Sequence, residues 1–335
     1  MATSEIVLYH YTYSPYARRI TWYLALRGIP YKQCLQPGML PRPDVSRLGM
    51  SHRRIPIMSI GRDVYLDSRL QLEKLEEMFP EKPRLGATTA EHKAVERLLS
   101  HFIIDAGIFA NGVTLLPTNL PMLKDPRYFK DRGDYIGGNL SKESMARARP
   151  EATMEFSAAF ELLETTLLAD GREWILRTKE PSLADIEAVW PFHWLSGIPG
   201  ALPVEIFSPE KFPKVYAWMK RFQDAVSVAK KKVEKVVTLD GEAAASFIEG
   251  SEYHDAEGSV DEADPVVVAQ GLKKGDAVVV SPTDTGKAHK DVGKLVSVDG
   301  KEVVIEVVTE KKKSVRVHAP RHGFRVKKQG DSAKL

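Results

Sequence analysis

A serine near the start of the chain stands where an anion can bind. The apolar run from Ile6 to Tyr9 predicts a strand, Ser14-Pro15 predicts the first turn of a helix, and Gly28 ends that helix. Proline has no backbone N–H, so it leaves none unpaired in the first helical turn. The positive end of the helix dipole at this turn favours a negative charge. A thiolate suits such a position, and the Ser14 hydroxyl can donate a hydrogen bond to it.

Other roles and other hydroxyls are open at the same place. Ser14 can be only the N-cap of its helix, because serine before proline caps well. Tyr9, Tyr11, Tyr13 and Tyr16 lie in the same segment, and Tyr13 and Tyr16 are the strongest rivals as thiolate donors. The sequence predicts thiolate activation by Ser14 and leaves these alternatives to the structure.

A second pattern follows and completes a resemblance to a known family. Arg53 to Met58 and Asp63 to Ser68 predict two more strands, and a leucine-spaced helix runs to Met78. Together with the Ser14 segment, this order of elements resembles the N-terminal domain of the glutathione transferases, in the serine-type and omega-like classes. The resemblance implies a thioredoxin-like fold in which Ser14 faces the glutathione sulfur and Pro56 is a cis-proline.

The resemblance also implies a site for the γ-glutamyl end of glutathione. An acidic residue followed by serine begins a helix there, and Asp67-Ser68 fills that place, with aspartate where glutamate is commoner. Asp67 would pair with the ammonium group, and Ser68 would hold the carboxylate at a helix N-terminus. Ile55, before Pro56, would offer its N–H and C=O to the cysteinyl backbone.

Basic residues before the cis-proline fill the place that the family uses for the glycyl carboxylate. His52, Arg53 and Arg54 are consecutive, and side chains alternate along a strand, so they cannot all point inward. We expect Arg54 to hold this carboxylate, with His52 as the second choice. Of Arg18 and Arg19 in the first helix, we expect one to support glutathione or a domain contact and the other to be solvated.

Periodicity divides the chain into four segments. Residues 1–85 form the thioredoxin-like domain, and 88–232 form an all-helical domain that resembles the family's C-terminal domain. In it, Ser182 to Asp185 is a capping box, which makes Asp185 a folding residue. Residues 233–264 are an acidic connection with helical character, and 265–330 contain short β-branched runs around an Asp299-Gly300 turn.

The fold class follows from these segments. We predict an α/β thioredoxin-like domain, an all-α domain and an appended small all-β (SH3-like) barrel. Four helices are predicted in the second segment, at 90–111, 150–168, 185–195 and 213–226, with a long polar loop between the first two. Five strands are predicted in the last segment, residues 265–330, which we call the third module. They lie at 277–280, 293–298, 303–308, 315–318 and 324–326. We expect this module to be dispensable for glutathione chemistry.

Composition excludes several classes of protein. The chain has 335 residues, a net charge of +3 and one cysteine, Cys34. A single cysteine rules out an internal disulfide and a cysteine-based zinc site, and it indicates a buried apolar residue rather than a redox centre. We expect no metal, no membrane partner and no nucleic-acid partner, since the basic residues near the C-terminus lack interleaved aromatics.

The predicted function is that of a glutathione transferase-like enzyme. The resemblance implies glutathione as co-substrate, attack of its thiolate on an apolar electrophile, a role in detoxification and a homodimer. A glutathione-dependent isomerase and a non-catalytic scaffold with the same fold are the alternatives. We expect a cytoplasmic protein, or a peroxisomal one, because Ala333-Lys334-Leu335 is a variant of the peroxisomal S-K-L signal.

Overall fold

The first strand faces two hydrophobic cores. The computed structural model describes residues 6–330. Ile6 and Leu8 face one core and Val7 and Tyr9 the other, as alternation along a strand requires. The thioredoxin-like domain contains β1 Ile6–His10, α1 Pro15–Leu26, β2 Lys32–Leu35, α2 Pro43–Ser46, β3 Ile57–Ile60, β4 Asp63–Tyr65 and α3 Ser68–Met78.

The helical domain confirms most of the predicted helices and divides the first one. The predicted helix over 90–111 is interrupted at Gly107, whose φ of +85° is left-handed. The predicted polar loop contains two helices that begin at Pro121 and Pro126, because proline fits the first helical turn. The helices are α4 Ala90–Ile104, α5 Ile108–Thr114, α6 Pro121–Lys124, α7 Pro126–Ile136, α8 Lys142–Leu162, α9 Leu183–Ser196 and α10 Pro213–Lys230, with a π-helical turn at Leu163–Leu167.

Asp185 is the folding residue that the capping box predicts. Its carboxylate accepts hydrogen bonds from the backbone N–H of Ser182 at 2.8 Å and of Ile175 at 2.9 Å. The indole of Trp218 on α10 donates a further bond at 2.9 Å. This buried carboxylate therefore joins the start of α9 to α10 and to the preceding loop.

The remaining segments add six strands to the sheet of the first domain. The predicted connection contains an edge strand, β5, which pairs in parallel with β2, and a helix that contacts α2. All five predicted strands of the third module are present. The elements are β5 Val237–Leu239, α11 Gly241–Glu249, α12 Pro265–Gln270, β6 Ala277–Pro282, β7 Asp291–Val298, β8 Glu302–Val308, β9 Ser314–Pro320 and β10 Phe324–Lys328.

The third module continues the sheet of the thioredoxin-like domain. The strand order is β10-β6-β7-β8-β9-β4-β3-β1-β2-β5, and the pair β4–β9 is parallel. The module keeps the antiparallel neighbours of a small barrel, with β10 on β6. Its apolar residues share one core with β1, β3 and β4.

A buried charged cluster joins the two parts at β4 and β9. Asp63 is fully buried and accepts bonds from Arg316 at 2.6 and 2.8 Å and from His318 at 2.8 Å. The backbone N–H groups of His254 and Asp255 donate to the same carboxylate at 2.7 and 2.9 Å. Removal of the module would expose this carboxylate and one edge of the sheet. The packing therefore argues against the expectation that the module is dispensable for glutathione chemistry, which stays a prediction.

Candidate functional site

Ser14 occupies the helix start that the sequence predicts. Its side-chain oxygen accepts a hydrogen bond from the backbone N–H of Ala17 at 3.2 Å, and the residue is 1% exposed. The N-cap interpretation is therefore confirmed. A hydroxyl that accepts this bond keeps its own proton, so Ser14 can also donate to a thiolate at the positive end of α1.

The neighbouring tyrosines separate into different environments. Tyr9 is buried in the core, and burial raises its pKa well above the usual value. Tyr13 is half exposed and stacks beside Tyr11, at a centroid distance of 4.7 Å. Burial also raises the pKa of Tyr16, and the charges of Asp67 and Arg54 act on its hydroxyl. Tyr16 is therefore the rival hydroxyl that lies among the predicted site residues.

The cis-proline is present and the helix α3 is tied to it. The Ile55–Pro56 peptide bond is cis, as the resemblance implies. The Gln71 amide on α3 donates to the carbonyl oxygen of Pro56 at 3.0 Å and to that of Tyr65 at 2.9 Å. These bonds fix the predicted edge for the cysteinyl backbone against the helix that begins at Ser68.

Asp67 and Ser68 stand at the start of α3 in unlike environments. Asp67 is the N-cap, with a left-handed φ of 64°, and its Oδ1 accepts from the backbone N–H of Arg69 at 2.9 Å. Burial raises the pKa of the Asp67 carboxyl, but the Arg69 guanidinium and backbone N–H outweigh burial and lower it overall. Ser68 is buried, and its hydroxyl accepts a bond from Arg19.

Arg19 is a residue whose importance the sequence left open. Its guanidinium is fully buried, pairs with Glu187 on α9 and donates to Ser68. It thus makes the domain contact that we expected of one of the two helix arginines, and it places a positive charge beside the predicted γ-glutamyl carboxylate site. An arginine within an apolar helix pattern is the one signal that could have identified it.

Of the predicted glycyl-carboxylate residues, Arg53 and Arg54 pair with acidic groups of the chain, whereas the buried ring nitrogens of His52 make no hydrogen bond among the described residues. His52 is buried; burial, reinforced by the charge of Arg54, lowers its pKa to about 3, so the ring is neutral. Arg54 binds the carboxylate of Asp284 and the carbonyl oxygen of Thr285, both on the β6–β7 loop. Arg53 pairs with Asp131 and Asp134 on α7. The polar contacts of the Arg54 side chain and of the His52 backbone N–H, which donates to Asp291, are therefore directed to the third module.

An apolar wall lies next to Tyr16. Phe109 packs against Tyr16 at 4.8 Å and against Trp190 at 4.7 Å between ring centroids. The Tyr135 ring lies beside the Arg53 guanidinium, 5.1 Å from its carbon to the ring centroid. Tyr16, Phe109 and Trp190 thus form an aromatic cluster that joins α1, α5 and α9, and Tyr16 lies two residues after Ser14.

The single cysteine has no catalytic surroundings. Cys34 is buried on β2, and burial together with the charge of Asp44 raises the pKa of its thiol to about 12. Since the thiolate is the reactive form, this thiol is not a nucleophile at neutral pH. The interpretation of Cys34 as a buried structural residue is confirmed.

Comparison with known proteins supports the glutathione transferase resemblance. Residues 8–83 match the family model of the glutathione S-transferase N-terminal domain, and residues 111–231 match a domain of unknown function (DUF7962). Glutathione S-transferase U1 of Arabidopsis thaliana is 29% identical over 92 residues, which cover 28% of this chain and 41% of that protein. The match thus spans less than half the length of this relative.

Solved structures share the fold over a larger part of the chain. A GST-like protein from Pseudomonas syringae aligns with a TM-score of 0.71 at 23% identity, covering 97% of this chain and 100% of that one. The beta-etherase LigF from Sphingobium aligns with a TM-score of 0.51 at 17% identity, covering 68% and 99%. Residues 8–83 therefore match the glutathione S-transferase N-terminal domain, and the chain shares the fold of these GST-like structures.

Two further expectations concern location. No helix within residues 6–330 combines the length and apolarity that crossing a membrane requires. The predicted peroxisomal tripeptide Ala333-Lys334-Leu335 lies outside the described residues.

Proposed function

We propose that this protein is a glutathione transferase-like enzyme that activates the glutathione thiol at Ser14 for attack on an apolar electrophile. The observation that carries the proposal is the hydrogen bond from the Ala17 N–H to the Ser14 oxygen. That bond fixes the hydroxyl at the N-terminus of α1 and leaves its proton for a thiolate. The donor and the helix dipole both favour the anion, so both lower the pKa of a bound thiol.

The γ-glutamyl subsite has the groups that a zwitterionic end needs. Both side-chain bonds of Asp67 with Arg69 use Oδ1, which leaves Oδ2 for an ammonium group. The Ser68 hydroxyl accepts from Arg19 and keeps its proton for a carboxylate. The positive charge of Arg19 adds to the attraction for that carboxylate.

The test is a Ser14→Ala variant with a matched control. Ser141 caps α8 in the same way, accepting from the Ser144 N–H at 3.1 Å, and it lies in a different domain. Each alanine variant should lose about 1 kcal/mol of stability through the missing cap. Only Ser14→Ala should raise the pKa of the thiol of bound glutathione. Only this variant should also slow the turnover of an aryl halide, by roughly 10²–10³-fold.

The outcomes separate the candidate functions. Thiolate absorbance of the bound co-substrate, titrated against pH, gives the pKa, and an unchanged pKa in Ser14→Ala would assign the role to Tyr16 or a backbone N–H. A product without glutathione would favour the isomerase. The contacts of Arg54 within the chain favour the non-catalytic scaffold as second candidate, and glutathione binding without turnover would support it.

A further inference from the structure

The β6–β7 loop carries a carboxylate to the arginine expected to bind the glycyl end of glutathione. The Thr285 carbonyl oxygen accepts from Arg54 Nε at 2.9 Å and from its terminal nitrogen at 2.6 Å. The Asp284 carboxylate pairs with the same terminal nitrogen. The loop thus occupies the edge of the guanidinium formed by Nε and one terminal nitrogen, an edge on which a carboxylate can bind in a bidentate pair.

The loop is held in place on both sides of these contacts. The Gly286 N–H donates to the Tyr135 carbonyl oxygen at 2.6 Å, and His289 contacts Asp134 at 2.7 Å. At the end of the loop, Asp291 accepts from the backbone N–H groups of Ser51 and His52 at 2.7 and 3.0 Å. The loop is therefore docked between the thioredoxin-like domain and α7, at high effective concentration relative to any free carboxylate.

The other basic residues near Arg54 offer no free positive charge in its place. Burial keeps the His52 ring uncharged, and the Arg53 guanidinium pairs with Asp131 and Asp134. In contrast, Asp67 Oδ2 and the Ser68 hydroxyl proton remain for the γ-glutamyl end. The γ-glutamyl end of the site thus has groups that can bind a ligand, whereas at the glycyl end Arg54 already binds the β6–β7 loop.

We propose that Asp284 and Thr285 take the place of the glycyl carboxylate, so that the site selects γ-glutamyl thiols whose opposite end is uncharged or absent. This inference rests on the proposed function. Asp284 acts as a specificity-determining residue, since its carboxylate satisfies Arg54 and repels a second carboxylate. Its side chain is 59% exposed, so substitution there should leave the fold intact.

Calorimetric titration of the full chain with glutathione and with its glycyl amide tests this proposal. The amide lacks the terminal negative charge of glutathione and carries an NH₂ group in place of one carboxylate oxygen. The wild type should bind glutathione no more tightly than the amide. Asp284→Ala should strengthen glutathione binding on the order of tenfold while leaving the amide unchanged, because a charge-assisted hydrogen bond becomes available. Asp284→Asn should fall between the two.

Two further variants make the test specific. Gly286 has a φ of +69°, and a Cβ there would lie 3.0 Å from Arg53 Cγ, so Gly286→Ala should displace the loop and shift the preference in the same direction. Asp224→Ala removes an equally exposed aspartate, paired with Lys220 on α10, and should change neither affinity.

The result that overturns the inference differs from the one that overturns the proposed function. A wild type that binds glutathione much more tightly than the amide, with no change in Asp284→Ala, would refute the role of the loop alone. Failure of both ligands to bind the wild type and the Asp284 variants would refute the glutathione site itself, and the inference with it.

Discussion

The buried carboxylate of Asp63 should be one of the largest single contributors to stability in this chain. It is fully buried, and Arg316, His318 and two backbone N–H groups all direct hydrogen bonds to it. In Asp63→Asn, the amide keeps one acceptor oxygen but turns an NH₂ group toward donors. Breaking a buried ion pair by removing one partner costs about 3–5 kcal/mol.

Urea unfolding followed by tryptophan fluorescence at pH 7 measures this loss. Asp224→Asn, on the exposed surface of α10, is the control and should change the free energy of unfolding by less than about 0.5 kcal/mol. If Asp63→Asn also changed the free energy of unfolding by less than about 0.5 kcal/mol, the conclusion that the charged cluster holds β4 to β9 would be refuted.

The pH dependence of stability gives a second measurement on the same residue. Although burial opposes ionisation, bonds from His318 and Arg316 lower the pKa of Asp63 to about 2. The ordinary pKa of aspartate is about 3.9, so the stability from this ionised group is present above about pH 4. It should be lost as the pH falls from about 4 to about 2, by on the order of 2–3 kcal/mol. Asp63→Asn should lack this component of the acid transition.

Two other predictions concern the third module. Burial raises the pKa of Asp291 to about 6, so its ionisation should destabilise the fold as the pH rises from about 4 to about 6. Asp291→Asn keeps an oxygen for Ser51 and His52, so thermal unfolding at pH 7 should show equal or higher stability, and a clear loss would mean that the charge itself is needed. Truncation after Ala263 should yield an unstable or aggregating protein, because it uncovers β4 and Asp63; a folded, monomeric product by circular dichroism and gel filtration would contradict this.

Most helices and strands could be predicted because their signals are local. Gly107 divides one predicted helix, Pro121 and Pro126 begin two helices where a loop was predicted, and β5 was not predicted. The start of α1 at Ser14 and the cis bond at Pro56 were also predictable, since a short ordered motif determines both.

The contact between the thioredoxin-like domain and the third module could not be predicted from local patterns. Asp63 and Arg316 are 253 residues apart in the chain, and no local pattern around Arg316 identifies its partner. The same holds for Arg54 and Asp284, where a polar loop gives no sign of its partner. In both cases an ion pair between segments that are distant in sequence holds the two segments together. Hydrophobic periodicity carries no information about such a pair.

The parallel pairing of β4 with β9 also constrains synthesis of the protein. β4 is synthesised long before β9, and at about 5–20 residues per second the intervening chain takes roughly 12–50 s to make. During that interval β4 has an unpaired edge, and the carboxylate of Asp63 has no arginine or histidine partner. The sheet of the N-terminal domain therefore lacks one neighbouring strand until β9 is made. Slow elongation or a stalled ribosome should prolong this stage and favour chaperone binding or aggregation of the nascent chain.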